Sequence, residues 1–136
     1  MVGLIIVSHG ELAQQLLQAV EVIVGPVAAA RCHSISSGAD LDEIHASMNK
    51  SIDEVSADGD GVIIMTDMFG GTPANVSARF LRKDAVEIIN GVNLPMLIKF
   101  VSSRDSMQLA VLADFLKKYG QKNIILTSDI LCGIGN

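Results

Sequence analysis

His9 is the residue best placed to react. It stands where the apolar run Val2-Gly3-Leu4-Ile5-Ile6-Val7 gives way to Ser8-His9-Gly10-Glu11, and a helical pattern follows directly. An imidazole titrates near neutral pH, and in its neutral form one ring nitrogen donates while the other keeps a lone pair. A second segment adds to this. Thr66-Asp67 closes the short apolar run Val62–Met65 and leads into Met68-Phe69-Gly70-Gly71-Thr72-Pro73-Ala74-Asn75. If the Asp67 carboxylate accepts a hydrogen bond from one nitrogen of His9, it fixes the tautomer. The other nitrogen is then free to attack, and the carboxylate stabilises positive charge on the ring. The pair Gly70-Gly71 permits the tight backbone path of an anion-binding nest. Thr72 before Pro73 is a good helix N-cap. Together these residues suit a histidine that receives a phosphoryl group by positioning and hydrogen bonding, with no metal ion and no cofactor expected.

Each residue also has a structural reading. Ser8-His9-Gly10-Glu11 fits the S-x-x-E capping box, with Ser8 as the cap. Asp67 alone could cap a turn, and Gly70–Pro73 alone could mark a loop entering a helix. Convergence at one place is what favours a site. His33, beside Cys32 in a strand-like segment, and His45, on a helical one, read as residues without chemistry. Met68 and Phe69 are large apolar residues in the same loop, and are candidates for docking a partner.

Convergence depends on the elements that carry these residues. Val2–Val7 reads as a strand buried on both faces. Leu12, Leu16, Leu17, Val20, Ile23 and Val24 recur at helical spacing until Gly25-Pro26. A second strand is expected over Ala28–Ile35, and a helix with the stripe Leu41, Ile44, Met48, Ile52 and Val55. Asp58–Gly61 is a turn before the strand Val62–Met65. Pro73–Leu81 reads as helix and Val86–Ile89 as strand. Leu94–Val101 and Met107–Tyr119 read as helices, with Gly120 as a C-terminal cap. A last strand is expected over Ile124–Thr127. Such alternation predicts one α/β domain over residues 1–136: a doubly wound, mostly parallel sheet of order 2-1-3-4 with helices on both faces and a fifth C-terminal strand. In that order strands 1 and 3 are neighbours about 4.8 Å apart, at the switch point where such folds place their sites. His9 and Asp67 end those two strands.

Composition narrows the class. The chain has 136 residues, enough for a real core, and at 49% hydrophobic it reads as globular rather than disordered. A net charge of −5 with no basic cluster argues against nucleic acid as a partner. Cys32 and Cys132 lie far apart without metal-ligand spacing, which favours a reducing compartment. No signal segment is evident, and no stretch approaches the roughly 18 apolar residues of a membrane helix. A cytoplasmic location is expected.

Three segments occur in order: Ile5-Ile6-Val7-Ser8-His9-Gly10-Glu11-Leu12-Ala13, Thr66 to Asn75, and Asn90-Gly91-Val92-Asn93-Leu94-Pro95-Met96-Leu97. Together they resemble the IIA component of the mannose/fructose/sorbose family of the bacterial sugar phosphotransferase system. The resemblance covers about residues 1–100 and not Ser102–Asn136. It implies a phosphocarrier. The phosphoryl group would come from the carrier HPr, rest on His9 as a covalent phosphohistidine, and pass to a histidine of a IIB component. A membrane IIC/IID complex would carry the sugar. Asp67 would orient His9, and Gly70, Gly71 and Thr72 would hold the phosphoryl group. Pro95 joins Met68 and Phe69 as a docking candidate. The family is typically dimeric, sometimes by exchange of a C-terminal strand, so a homodimer is expected, with IIB on a separate chain. The alternative is a regulatory binding module of the same fold, switched by the same phosphohistidine. A hydrolase resembling the histidine phosphatases fits poorly, because Ser8 stands where those enzymes carry arginine. Arg31, Arg79, Arg82 and Arg104 lie outside the site motifs.

Overall fold

The apolar N-terminal run becomes a central strand because helices cover both of its faces. The computed structural model describes residues 1–135, with side chains as far as Leu131. The elements are β1 (Gly3–His9), α1 (Leu12–Val24), β2 (Ala30–Ile35), α2 (Leu41–Val55), β3 (Val62–Thr66), α3 (Thr72–Ala78), β4 (Val86–Asn90), α4 (Leu94–Ser103), α5 (Leu109–Lys122) and α6 (Thr127–Gly135). The strands form one all-parallel sheet of order β2-β1-β3-β4. This is the expected architecture.

Successive side chains of a strand point to opposite faces, so β1 feeds two cores. Leu4 and Ile6 join Ile63, Met65 and Ile89 beneath α1, α4 and α5, around Phe100, Leu112 and Leu116. Ile5 and Val7 join Ile64 and Val86 beneath α2 and α3, around Met48, Ile52 and Val76. Each of these large side chains contributes roughly 1.5–3 kcal/mol by leaving water. A one-residue slip would exchange the two sets, so packing locks the register. That register sets Val7 beside Thr66 and Thr66 beside Asn90, bringing the carboxyl ends of β1, β3 and β4 together.

Several expectations need correction. Among the described residues no fifth strand forms over Ile124–Thr127. Ile124, Ile125 and Leu126 are exposed and join no strand, and Thr127 starts α6 with Asp129 in its first turn. A β-branched run makes a strand only where a neighbouring edge pairs with it. Gly120 is not a cap but a buried position inside α5, whose C-cap is Asn123. A Cβ there would lie 2.6 Å from Met96 Cε, so the glycine permits close approach of α4. Ser8 is not the cap of α1: it lies in β1, and Glu11 is the N-cap residue with no side-chain cap bond. The Ser8 hydroxyl instead accepts the Ala13 N–H at 2.7 Å, so it still serves the first turn from a position further back. The side chain of Cys132 lies outside the described part.

Arg104 has a structural task that no motif indicates. It is 4% exposed at the end of α4. Its Nε and Nη2 donate to Val2 O at 2.9 and 2.7 Å, and Nη1 donates to Ala28 O at 2.7 Å. Nη2 also reaches Ala29 O at 3.2 Å. The guanidinium thus ties α4 to the start of β1 and to the approach to β2. Arg104→Met keeps the apolar stem but strands these acceptors. It is expected to cost about 1–3 kcal/mol in urea unfolding, and a loss below about 0.5 kcal/mol would remove this role.

Candidate functional site

The site grows out of the sheet's own hydrogen bonding. Beyond the end of β3, the Asp67 N–H still donates to Val7 O at 3.3 Å, which carries the residue alongside β1. Its carboxylate then meets the last residue of β1. Asp67 Oδ2 accepts the His9 backbone N–H at 2.9 Å and lies 2.7 Å from His9 Nδ1. Asp67 Oδ1 accepts the Met68 N–H at 3.0 Å. An ionised carboxylate only accepts, so the proton sits on Nδ1 and the lone pair on Nε2. The His9 side chain is 51% exposed and that of Asp67 only 10%, so the ring is presented while its partner is sheltered. Burial alone would raise the Asp67 carboxyl, but the His9 backbone N–H, the His9 ring and the Met68 N–H outweigh it and hold the group below its ordinary value.

The glycine loop closes the other side of the ring. Gly71 has φ +102°, a region open to glycine. A Cβ on it would lie 3.2 Å from both Nε2 and Cε1 of His9. The bare nitrogen therefore has space beside it only because position 71 has no side chain. Gly70 and Gly71 are both exposed. Gly71, not Thr72, is the N-cap residue of α3, and Thr72 begins the helix with Pro73 behind it. The first N–H groups of any helix lack intrahelical partners, which leaves donors on this loop. Met68 and Phe69 are 53% and 84% exposed, and stand out from the surface next to the ring. Pro95 is half-buried at the start of α4 and offers less surface.

The remaining histidines stand apart from this cluster. His33 Nε2 lies 2.9 Å from Ser51 Oγ between β2 and α2, and burial lowers its pKa. His45 stacks on Phe80, with ring centroids 4.6 Å apart. Two supporting contacts escaped the sequence reading. Ser8 Oγ donates to Gly10 O at 3.3 Å and so braces the turn after His9. Thr66 bonds to both neighbouring loops. Serine and threonine at strand ends have no distinctive pattern, and the only signal was their adjacency to His9 and Asp67.

The chain is similar to known proteins. A family model described as "PTS system fructose IIA component" matches residues 3–117. The chain belongs to that family. As a IIA component it is 26% identical over 132 residues to the "PTS system fructose-specific EIIA component" of Bacillus subtilis (strain 168), covering 96% of this chain and 90% of the relative. It is 29% identical over 105 residues to the "PTS system mannose-specific EIIAB component" of Escherichia coli (strain K12), covering 76% of this chain and only 32% of that longer relative. The crystal structure of the PTS IIA protein associated with the fucose utilization operon of Streptococcus pneumoniae superposes with a TM-score of 0.82 at 29% identity. It covers 96% of this chain and 99% of that one. Membership places the protein among the phosphotransferase-system components that act in sugar-specific phosphotransfer.

The Asp67 contacts set a pH dependence. Because its folded-state pKa is depressed, the stabilisation is complete above the ordinary carboxylate value of about 4 and is lost as pH falls through the lower folded-state value. Wild type should therefore melt above Asp67→Asn at pH 7, with the gap closing on acidification below about pH 4. A gap unchanged at the acid end would show that the carboxylate is not its source.

Proposed function

We propose that the protein is a cytoplasmic phosphocarrier in which His9 accepts a phosphoryl group from phosphohistidine on HPr and delivers it to a histidine of a IIB component, serving uptake through a membrane IIC/IID complex. The observation that carries this reading is the 2.7 Å contact between His9 Nδ1 and Asp67 Oδ2, which leaves Nε2 bare and exposed. The Nε2 lone pair attacks phosphorus in line with the donor nitrogen. The donor N–P bond breaks, and its electron pair stays on the departing imidazole. The Nδ1 proton remains in place, so the phosphorylated His9 ring is cationic and paired with Asp67. The Gly70 and Gly71 N–H groups and the Thr72 hydroxyl hold the phosphoryl oxygens. The intermediate is the phosphohistidine itself, and no cofactor takes part. Met68 and Phe69, with Pro95 at the margin, receive the protein partners. Other components contact the sugar, so these residues do not choose it. The fructose- and mannose-specific names of the relatives favour transport over a purely regulatory role.

With phosphoenolpyruvate, enzyme I and HPr, mass mapping should find an acid-labile phosphate on His9 and none in His9→Ala. Equal labelling of the alanine variant would refute the assignment. Asp67→Ala should fold and be phosphorylated roughly a hundredfold more slowly, the scale expected when a reacting group loses its orientation.

The working unit in this reading is a homodimer. Among the described residues the outer edge of β4 is paired only at Val86, by a bridge to Arg82, and a groove of about 550 Å³ beside it is lined by Phe69, Ile88, Ile89, Met96, Ala113 and Ile124. Exposed Ile124, Ile125 and Leu126 supply apolar chain to fill the same groove on a second copy. Light scattering should report a dimer for wild type and a monomer for Ile125→Asp, and a monomeric wild type would rule the arrangement out.

A further inference from the structure

The end of β3 holds a hydroxyl that the transfer chemistry does not use. Thr66 is fully buried in the sheet. Its Oγ1 donates to Asn90 Oδ1 at 2.6 Å and shares that hydrogen with Met68 O at 3.2 Å. Its carbonyl accepts the N–H groups of Gly91 and Val92, both at 3.0 Å. One residue therefore joins the turn after β3 to the turn after β4. It also holds both ends of the short arch that bears the carboxylate: Thr66 precedes Asp67, and the Met68 carbonyl that it grips follows. The other face of that arch is the Met68 N–H donating to Asp67 Oδ1. Valine has nearly the same shape and a strong preference for a buried strand, so packing at this position does not call for an oxygen.

We propose that Thr66 is a positioning residue for the His9–Asp67 pair, acting through the backbone of Met68. The proposal rests on the phosphocarrier reading of His9. With the hydroxyl in place, the Met68 carbonyl is held, the backbone of Met68 is fixed between it and Thr66, the Met68 N–H stays on Oδ1, and Oδ2 stays on His9 Nδ1. The path of Phe69-Gly70-Gly71 against the ring follows from the same anchor. Without the hydroxyl, the Met68 carbonyl loses its anchor, the backbone torsions on either side of the Met68 Cα relax, the N–H drifts from Oδ1, and the carboxylate swings away from Nδ1. Both tautomers of His9 are then populated, and only one of them has Nε2 bare.

Thr66→Val tests this with two readouts. Phosphorylation by phospho-HPr should slow about tenfold at saturating donor with the half-saturating concentration unchanged, because orientation is lost and docking is not. Nitrogen-15 spectra of the unphosphorylated protein should change from a single His9 Nδ1–H tautomer to a mixture. Thr66→Ser should restore both. A valine variant with wild-type rate and wild-type spectrum overturns the proposal, as does a serine variant impaired as badly as valine. If the valine variant loses cooperative unfolding, Thr66→Ala removes the same hydroxyl without the added methyl, and the same readouts apply. Failure of the phosphocarrier reading is separately visible, since wild type itself would then take no phosphate while the tautomer measurement would still report on Thr66.

Discussion

The carboxylate orients the imidazole here only because two distant parts of the chain are held to within a few tenths of an ångström of hydrogen-bonding distance. Here His9 and Asp67 are 58 residues apart in sequence, and Nδ1 and Oδ2 meet at 2.7 Å. Neither residue lies on a long flexible loop. Each ends a strand or follows one by a single residue, and the strands are hydrogen-bonded neighbours. The contact is therefore an extension of the sheet ladder, with the side chain of Asp67 taking over where backbone pairing stops. Everything that keeps β1 and β3 in register also sets the chemistry of His9.

That register is enforced from both faces. Leu4 and Ile6 lie on one side of β1 and Ile5 and Val7 on the other, so each face carries its own interlocking set. Arg104 fastens the opposite end of the strand at Val2. The strand is thus held along its length, and only its last residue is exposed. A rigid support with an exposed tip is what a group-transfer site needs, because precise placement of reacting atoms supplies most of the catalysis when little covalent chemistry falls to the protein.

Strand order and the His9–Asp67 meeting were legible in the sequence because each rests on a strong signal. The signals are unbroken apolar runs for buried parallel strands, and two polar residues at their carboxyl ends. What escaped depends on partners distant in the chain. The glycine at 120 looks like a helix stop until Met96 is seen against it. Arg104 looks like a surface cation until Val2, Ala28 and Ala29 turn their carbonyls toward it. Ile124–Leu126 has the composition of a strand, but pairing decides, and composition does not encode whether an edge is available. Ser8 kept its capping chemistry while changing position, a distinction of a few residues that local pattern does not resolve.

The exposure of His9 has a consequence for time. A ring that is half open to solvent, in a site whose loop also carries a phenylalanine with 84% of its surface in water, is not enclosed. In the proposed relay the charged intermediate then crosses the interval between one collision and the next in contact with water. Its survival over that interval depends on the sluggish hydrolysis of its own N–P bond, with no enclosure to protect it. Water is shut out only while a second protein sits over Met68 and Phe69. In that relay the carrier is half an active site, and each partner brings the other half.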